Sequence, residues 1–425
     1  MPIELSSITF TEQADFVGVS GEEEVLNNSF ANTLAGNDLI VGNSENSYSD
    51  NSISSNGNRI SGVYNSGTLN TDDGNDLIIG NGKGLNSTLG NKNTTISGIH
   101  NIGTLTTGDG NDQILGIRYL QGEATLDDLL GSYGIYNYRG TIDTGEGDDV
   151  ITGVSQQGSF GVGISVKSRG NSYSDATYNE SATTINTGNG NDIITGSGNF
   201  GGIEVFSSGS LSKGSIIDTG NGNDIITGTS GSWVGIYFMS ENGSIDTGEG
   251  DDIITGSGNN VGIGIYVSSS SLNTGDGNDT ITGIGSNYGI YNYGTINTGD
   301  GKDIISSQTN TSYGKFILNN GTINTGNGED SIIADRGFVG SGNVFLGNGT
   351  DYLKGFGYSG NFNGGDGEDS LELTSGSYTI GISGAVVSFT KGSNIMKTSE
   401  FEKLIAGSTT YDFTSLTDGQ TILVT

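Results

Sequence analysis

The chain has 425 residues with 77 glycines, one proline, one histidine and no cysteine, and its 48 Asp and Glu against 15 Lys and Arg give a formal net charge of −33. That charge argues against nucleic acid and anionic lipid as partners, which need basic patches, and makes cations the natural counterpart; the absence of cysteine removes disulfides, zinc–thiolate sites and thiol nucleophiles. Hydrophobic content is 31%, against ~45–50% for ordinary globular domains, so a folded chain of this kind must place its apolar residues in a repeating pattern.

Residues 1–32 open with MPIELSSITFTEQADF, which has neither a basic n-region nor an apolar h-region. No cleaved secretory leader is expected there, and the segment reads as an N-terminal cap. No run of ~18 apolar residues occurs anywhere, so no membrane-spanning helix is expected. From residue 33 a six-residue turn of the form T-G-[D/N/E]-G-[N/D]-D recurs twelve times, closed in turn by Asp38, Asp76, Asp112, Asp149, Asp192, Asp224, Asp252, Asp279, Asp303, Asp330, Asp351 and Asp369. The intervals between these aspartates are 38, 36, 37, 43, 32, 28, 27, 24, 27, 21 and 18 residues. One structural corner is therefore revisited by connections of shrinking length.

Each interval has internal order. The residue two after the aspartate is Ile or Leu in every copy, from Ile40 to Leu371, inside an alternating unit such as Asp279-Thr280-Ile281-Thr282-Gly283. A second alternating unit comes next, as in Tyr133-Gly-Ile-Tyr-Asn-Tyr138 and Tyr288-Gly-Ile-Tyr-Asn-Tyr293, and a third, such as Thr295-Ile-Asn-Thr298, leads into the next corner. Period-two pieces of four to six residues broken by Gly and Asn are short strands. Three strands per interval make one coil of a three-sided, all-β parallel β-helix, a solenoid of about twelve coils stacked at ~4.8 Å. Each inward Ile then rests on the Ile of the neighbouring coil, which lets a thin apolar column replace a globular core. The single proline, Pro2, fits because proline cannot donate to an interior ladder.

The early intervals carry excursions at 44–59, 84–93 and 168–182 that read as polar loops, and 124–130 (ATLDDLL) reads as one helical turn. The last two intervals leave room for only two strands, so the rod should narrow to a flatter coil. Domain organisation is thus a cap over 1–32, the β-helix over 33–370, and a C-terminal β cap over 371–425 that covers an otherwise open sheet end.

The corner carries the chemistry. Numbering it one to six, from Thr274 to Asp279, glycines at positions two and four permit positive φ and let carbonyl groups turn to one side. The pairs are Gly108 and Gly110, Gly145 and Gly147, Gly188 and Gly190, Gly220 and Gly222, Gly248 and Gly250, Gly275 and Gly277, Gly299 and Gly301, Gly326 and Gly328, Gly347 and Gly349, and Gly365 and Gly367. With the closing aspartate, the carbonyls form an oxygen-only donor set that favours Ca²⁺ over zinc or copper. One corner supplies half a coordination shell, and stacked corners complete it. A non-binding corner stabilised by Asn and Asp bends remains the alternative, but aspartates ~5 Å apart in a row repel one another without cations.

These residues resemble the nonapeptide of RTX (haemolysin-type) calcium-binding repeats, G-G-x-G-x-D-x-U-x, most fully at Gly364-Gly-Asp-Gly-Glu-Asp369-Ser-Leu371. The resemblance implies a right-handed helix and Ca²⁺ held by the closing Asp carboxylates from Asp76 to Asp369 and the glycine carbonyls. It also implies export by a type I route with an uncleaved C-terminal signal, around Phe401–Gly407 and the last residues. The tail is similar to those of cyanobacterial secreted repeat proteins. The chain departs from the family in having one motif per long coil rather than tandem nonapeptides, implying one ion row. Leu34 and Asp72 stand where position two is otherwise glycine, and Lys302 sits beside Asp303, so the Asp38 corner is the weakest candidate.

A phosphate loop is excluded because strands follow the glycines, and an EF-hand because no helices flank the loop. A secreted β-helical polysaccharide lyase or hydrolase is the main rival class. Against it, His100 holds the strand position that Tyr291 holds in its own coil, Asp127-Asp128 reads as a solvated turn, and Arg59, Arg118, Arg139, Arg169 and Arg336 are scattered. Thr and Asn ladders such as Thr295/Asn297 suit an ice-binding β-helix, but Asp143, Asp218 and Asp246 interrupt them. Tyr136, Tyr138, Tyr237, Phe238, Tyr291 and Tyr293 form either a contact face or core stacking, with about half expected to point inward. The expectation is a non-enzymatic extracellular calcium-binding rod (S-layer, sheath, filament or adhesion component) with Ca²⁺, other copies of itself in head-to-tail contact, or surface polysaccharide as partners.

Overall fold

The computed structural model describes residues 2–18, 23–45, 48–50, 57–85, 94–121, 129–156, 160–169, 182–208, 213–239, 241–309 and 316–425. The chain winds through three sheets, here called A, B and C, of 13, 15 and 17 strands. A representative coil runs through Val150–Gln156 in sheet B, Val162–Arg169 in sheet A and Thr183–Asn186 in sheet C, then turns the corner from Thr187 to Asp192 into Ile193–Gly198, the next strand of sheet B. Neighbouring coils pair in parallel and in constant register, so Ile151, Ile194, Ile226, Ile254, Ile281 and Ile305 form one continuous column. Matching columns run through sheet C (Leu105, Ile142, Ile185, Ile217) and sheet A (Ile135, Ile164, Ile203, Ile236). All three columns merge into one buried core. Each of these aliphatic side chains contributes roughly 1.5–3 kcal/mol by burial, which is how a chain poor in apolar residues holds a parallel β-helix together.

Glycine sets the cross-section where sheets A and B meet. A Cβ on Gly228 would lie 2.4 Å from the carbonyl oxygen of Gly235, and one on Gly235 would lie 2.3 Å from the amide nitrogen of Ser257. The recurring glycine that ends the D-x-I-x-G unit is there because two backbones touch.

Four features of the fold go beyond the repeating pattern of the sequence. First, Tyr48–Asp50 within the 44–59 excursion pairs antiparallel with Gly57–Asn65, while 46–47, 51–56, 86–93 and 170–181 lie outside the described residues. Leu77–Leu85, Gln113–Gln121 and Leu129–Tyr138 are longer than the matching strands of later coils, and Ile60, Ile96 and Leu120 make a small second core. Residues 124–128, with Asp127 and Asp128, lie outside the described residues, and Leu129 and Leu130 belong to a strand.

Second, the described residues of 1–32 add one short strand or more to each of the three sheets at the N-terminal end of the rod. Ile3–Glu4 and Val25–Asn27 join sheet A, Phe16–Val17 joins sheet B and Phe30–Asn32 joins sheet C. Third, of the six aromatic residues expected to divide evenly, only Phe238 belongs to the central core. Tyr136, Tyr138, Tyr237 and Tyr291 pack on the outer side of sheet A in two further clusters. His100 is fully buried there, in register with Tyr64 and Tyr136 and 4.9 Å from the Tyr136 ring.

Fourth, sheet A carries a buried asparagine ladder that the sequence pattern alone does not single out: Asn27 donates to Asn65, Asn65 to Asn101 and Asn101 to Asn137, at 2.8–2.9 Å. Val166, Val205, Phe238 and Ile265 occupy the same register in the middle coils, and Asn292 and Asn319 resume it. An amide that both donates and accepts can repeat indefinitely along a stack.

Towards the C-terminus sheet A ends at Phe338–Val339, with one further bridge from Phe338 to Gly357, while sheets B and C continue. The rod narrows to two sides as the shortened intervals require. Beyond Glu372, Asn394–Ser399 continues sheet C in parallel with Asn361–Gly367, Val386–Lys391, Gly376–Ser383 and Thr421–Val424 follow it antiparallel, and Thr409–Asp412 closes sheet B antiparallel. Phe356, Phe362, Tyr378, Phe389 and Met396 fill the end of the core.

Candidate metal centre: the aspartate column

All twelve corners lie between sheets C and B, one above another. Position two adopts positive φ throughout, between 73° and 86° for the glycines from Gly108 to Gly326 and 64° and 58° for Leu34 and Asp72. The two corners that lack glycine at this position thus keep the backbone shape. Position four lies at φ 140–156° in all twelve. A Cβ on Gly275 would sit 1.7 Å from the carbonyl oxygen of Gly248, and one on Gly277 would sit 1.8 Å from that of Gly250. The glycine carbonyls therefore point along the rod into the next corner. Those of Gly248 and Gly250 accept no backbone amide, whereas the Gly250 amide donates to Asp276 in the following coil and, near the narrow end, the Gly326 carbonyl accepts the Asn348 amide.

The closing aspartates are buried, from 0% to 3% exposed, and are linked to one another. Asp76 donates its amide to Oδ1 of Asp112 at 2.8 Å, Asp112 to Asp149, Asp149 to Asp192, and so on through Asp224, Asp252, Asp279, Asp303, Asp330, Asp351 and Asp369, each at 2.8–2.9 Å. The ladder reaches past both ends of the motif. Asp15 donates to Asp38, Asp38 donates to Asp76, and the Asp369 amide donates to the Glu402 carboxylate. Asp15 and Glu402 are not among the sequence candidates. Their signal is an acid two residues before a stacked aliphatic, in Asp15-Phe16-Val17 and Glu402-Lys403-Leu404, with Val17 in register with Ile40 and Leu404 with Leu371.

With Oδ1 committed to an amide, Oδ2 decides the chemistry. The position-one threonine donates to it at Asp38, Asp224 and Asp252. At Asp76, Asp112, Asp149, Asp192, Asp279, Asp303, Asp330, Asp351 and Asp369 the buried Oδ2 meets no donor in good hydrogen-bond geometry; at the first seven the position-one threonine stands close enough to lower the carboxyl pKa, and at Asp351 and Asp369 there is no such threonine. Burial pushes these carboxyl groups up, while nearby threonine and amide donors pull them partly back. Asp252 is raised to about 8 and Asp76, Asp149, Asp224 and Asp303 to about 7. Asp112, Asp192, Asp279, Asp330, Asp351 and Asp369 are raised to about 6.

Outside this column run two exposed ladders. Position five links Asn111 to Asp148, Asp148 to Asn191 and Asn191 to Asn223, and position three links Asn189 to Asn221 and Asn221 to Glu249. On sheet C the outward Asx residues bond to each other, as Asn324 to Asn297 and Asn297 to Asn273, so these amides already have partners along the stack.

Among the described residues no group of three or more His, Cys, Asp or Glu forms a ready metal cage. The donor set is one carboxylate per coil plus peptide carbonyls and threonine hydroxyls. That set fits a hard cation: it is made of carboxylate, carbonyl and hydroxyl oxygens, with no nitrogen or sulfur ligand in the motif. Every Asp and Gly proposed from sequence lies in this one column, and the column extends one acid further at each end.

No protein-family model and no curated protein matches the chain. A solved structure described as a hyperactive, Ca²⁺-dependent, beta-helical antifreeze protein from an Antarctic bacterium is similar at 19% identity, over 72% of this chain and 71% of that chain, with a TM-score of 0.33. No helix among the described residues is long and apolar enough to cross a membrane.

Proposed function

We propose that the aspartate column is a row of calcium sites and that the chain is a calcium-stabilised rod. Its role would be structural, outside the cell, as a layer, sheath, filament or adhesion component without catalytic activity. The proposal rests on nine buried carboxylate oxygens that meet no donor in good geometry and whose pKa values stay raised despite the threonines beside seven of them. A buried anion needs a cation or a proton, and a column of such groups needs one at nearly every step. When bound, Ca²⁺ would supply neutralising charge and a preference for oxygen donors. The carboxylates from Asp76 to Asp369 would hold it together with the position-two and position-four carbonyls from Gly108 to Gly367. The chain's own residues set the geometry: the amide of each preceding aspartate fixes Oδ1, and the glycines turn the carbonyls along the axis.

Export fits the same chemistry. Where calcium is scarce, a chain of net charge −33 whose carboxylates must be buried together has little reason to fold, which suits passage through a channel by a type I route. Where calcium is millimolar, each site of ~0.1–1 mM affinity adds RT ln(1 + [L]/Kd). Metal analysis of the purified chain tests the proposal. About 8–11 Ca²⁺ per chain is the expectation for one ion per pair of stacked corners. A chain that keeps its full β signal after thorough chelation at neutral pH would sink it.

A further inference from the structure

We infer that the outer face of sheet B is the contact surface for a second copy of this chain. Three side-chain columns point outward there, for example Ile193, Thr195 and Ser197 in one strand and Ile225, Thr227 and Thr229 in the next. Across ten consecutive strands, from Leu39–Ser44 to Ser331–Ala334, no strand residue in these columns is charged; Asp335 lies just past the last of them. In a chain with 48 acidic residues no other side of the rod is like this among the described residues. Sheet C presents Asp143, Asp218 and Asp246, the corners present the acids of positions three and five, and the outer side of sheet A is occupied by packed rings.

The column beside the corner is also open and apolar in the middle coils. Ile193, Ile225, Ile253 and Ile304 are 37–43% exposed. The ten strands pair in constant register without a bulge, so the three columns run unbroken along the rod.

Charge and area select the occupant. Two molecules of net charge −33 repel at every acidic surface, and apposing their uncharged faces buries no unpaired charge. Ten strands ~4.8 Å apart, with three outward residues ~7 Å apart on each, give an area of about 45 by 17 Å, roughly 750 Å². A specific interface needs about 800 Å² from each partner. A face that meets its own copy across a two-fold axis is complementary to itself, and stacked sheets interdigitate at ~10 Å. Threonine hydroxyls can donate and accept across such a seam.

Sedimentation velocity of the full chain with millimolar calcium, across micromolar concentrations, tests this. The expected result is a species of twice the chain mass. Thr227→Lys, an outward change at the middle of the face, should weaken the dimer by at least about tenfold by burying an unpaired charge, with the circular dichroism unchanged. Thr295→Lys, outward on sheet C, should leave the dimer intact. If Thr227→Lys disturbs folding, Thr282→Lys on the same face takes its place. A chain that stays monomeric at all concentrations overturns the inference, as does a dimer indifferent to both sheet B variants. Open-ended polymers would place the contact at the rod ends and overturn it too. So would a monomer that binds ice or an insoluble polysaccharide through Thr227.

Discussion

The substitution Asp252→Asn separates a calcium column from a merely protonated one, because only in the first does its effect depend on calcium. Asp252 accepts the Asp224 amide on Oδ1 at 2.8 Å and the Thr247 hydroxyl on Oδ2. Asparagine keeps the first bond through its Oδ1. Its Nδ2 faces Thr247, whose hydroxyl can rotate to accept while donating instead to the Thr274 carbonyl, 3.4 Å away. The change is nearly isosteric and alters only charge. In the metal-free chain at pH 8, the Asp252 carboxyl must be ionised or protonated at the expense of a folded-state pKa of about 8 against an ordinary 3.8. Removing that burden stabilises the fold by up to about 5 kcal/mol. In calcium the gain shrinks. Only the unsubstituted chain draws stability from the ion, about 1–3 kcal/mol at ten to a hundred times Kd, and asparagine forfeits it. Urea unfolding followed by circular dichroism, in chelator and in calcium, reads both numbers. A gain from asparagine that is the same in both buffers would refute the assignment.

The metal-free chain should also respond to pH in the sense opposite to most proteins. Burial raises the folded-state pKa of these aspartates to about 6–8, above the unfolded value, so protonation favours the fold. The stabilisation is fully present below about pH 4 and is lost as pH rises through about 6–8, which thermal melts in chelator at pH 4.5 and pH 8 will show as a higher transition at the lower pH. Gly275→Ala places a Cβ at φ 80° and 1.7 Å from the Gly248 carbonyl. It should cost at least about 2 kcal/mol, and an unchanged transition temperature would contradict tight stacking of the corners. Asn101→Ala leaves the Asn65 amide without its Asn101 acceptor and Asn137 without its donor, for a loss of about 2–4 kcal/mol. Replacing Asn65, Asn101 and Asn137 together by valine, the residue that fills this register in Val166 and Val205, should cost less than three separate losses. Additive losses in denaturant titrations would argue against a shared ladder.

The architecture is legible in the sequence because a stack of similar coils makes each position repeat its environment. The Ile two residues after each aspartate, the glycines at corner positions two and four, and the interval lengths are enough to place the columns, the corner and the narrowing end. Repetition also brings every candidate ligand into one row. Periodicity cannot settle which side of a strand faces the core. Whether Tyr136 or Phe238 points inward depends on which face of a two-residue period is taken, and Phe238 shares its column with Asn137 while Tyr136 shares its own with His100. Asp15 and Glu402 lack the surrounding motif, and only the stacking of Val17 and Leu404 reveals them as the last rungs. From sequence, each closing aspartate offers its whole carboxylate to an ion. In the fold, one oxygen holds the amide of the neighbouring coil, a partner 18 to 43 residues away in sequence. The other oxygen is left to a cation or a proton, a division that exists only once the coils are stacked.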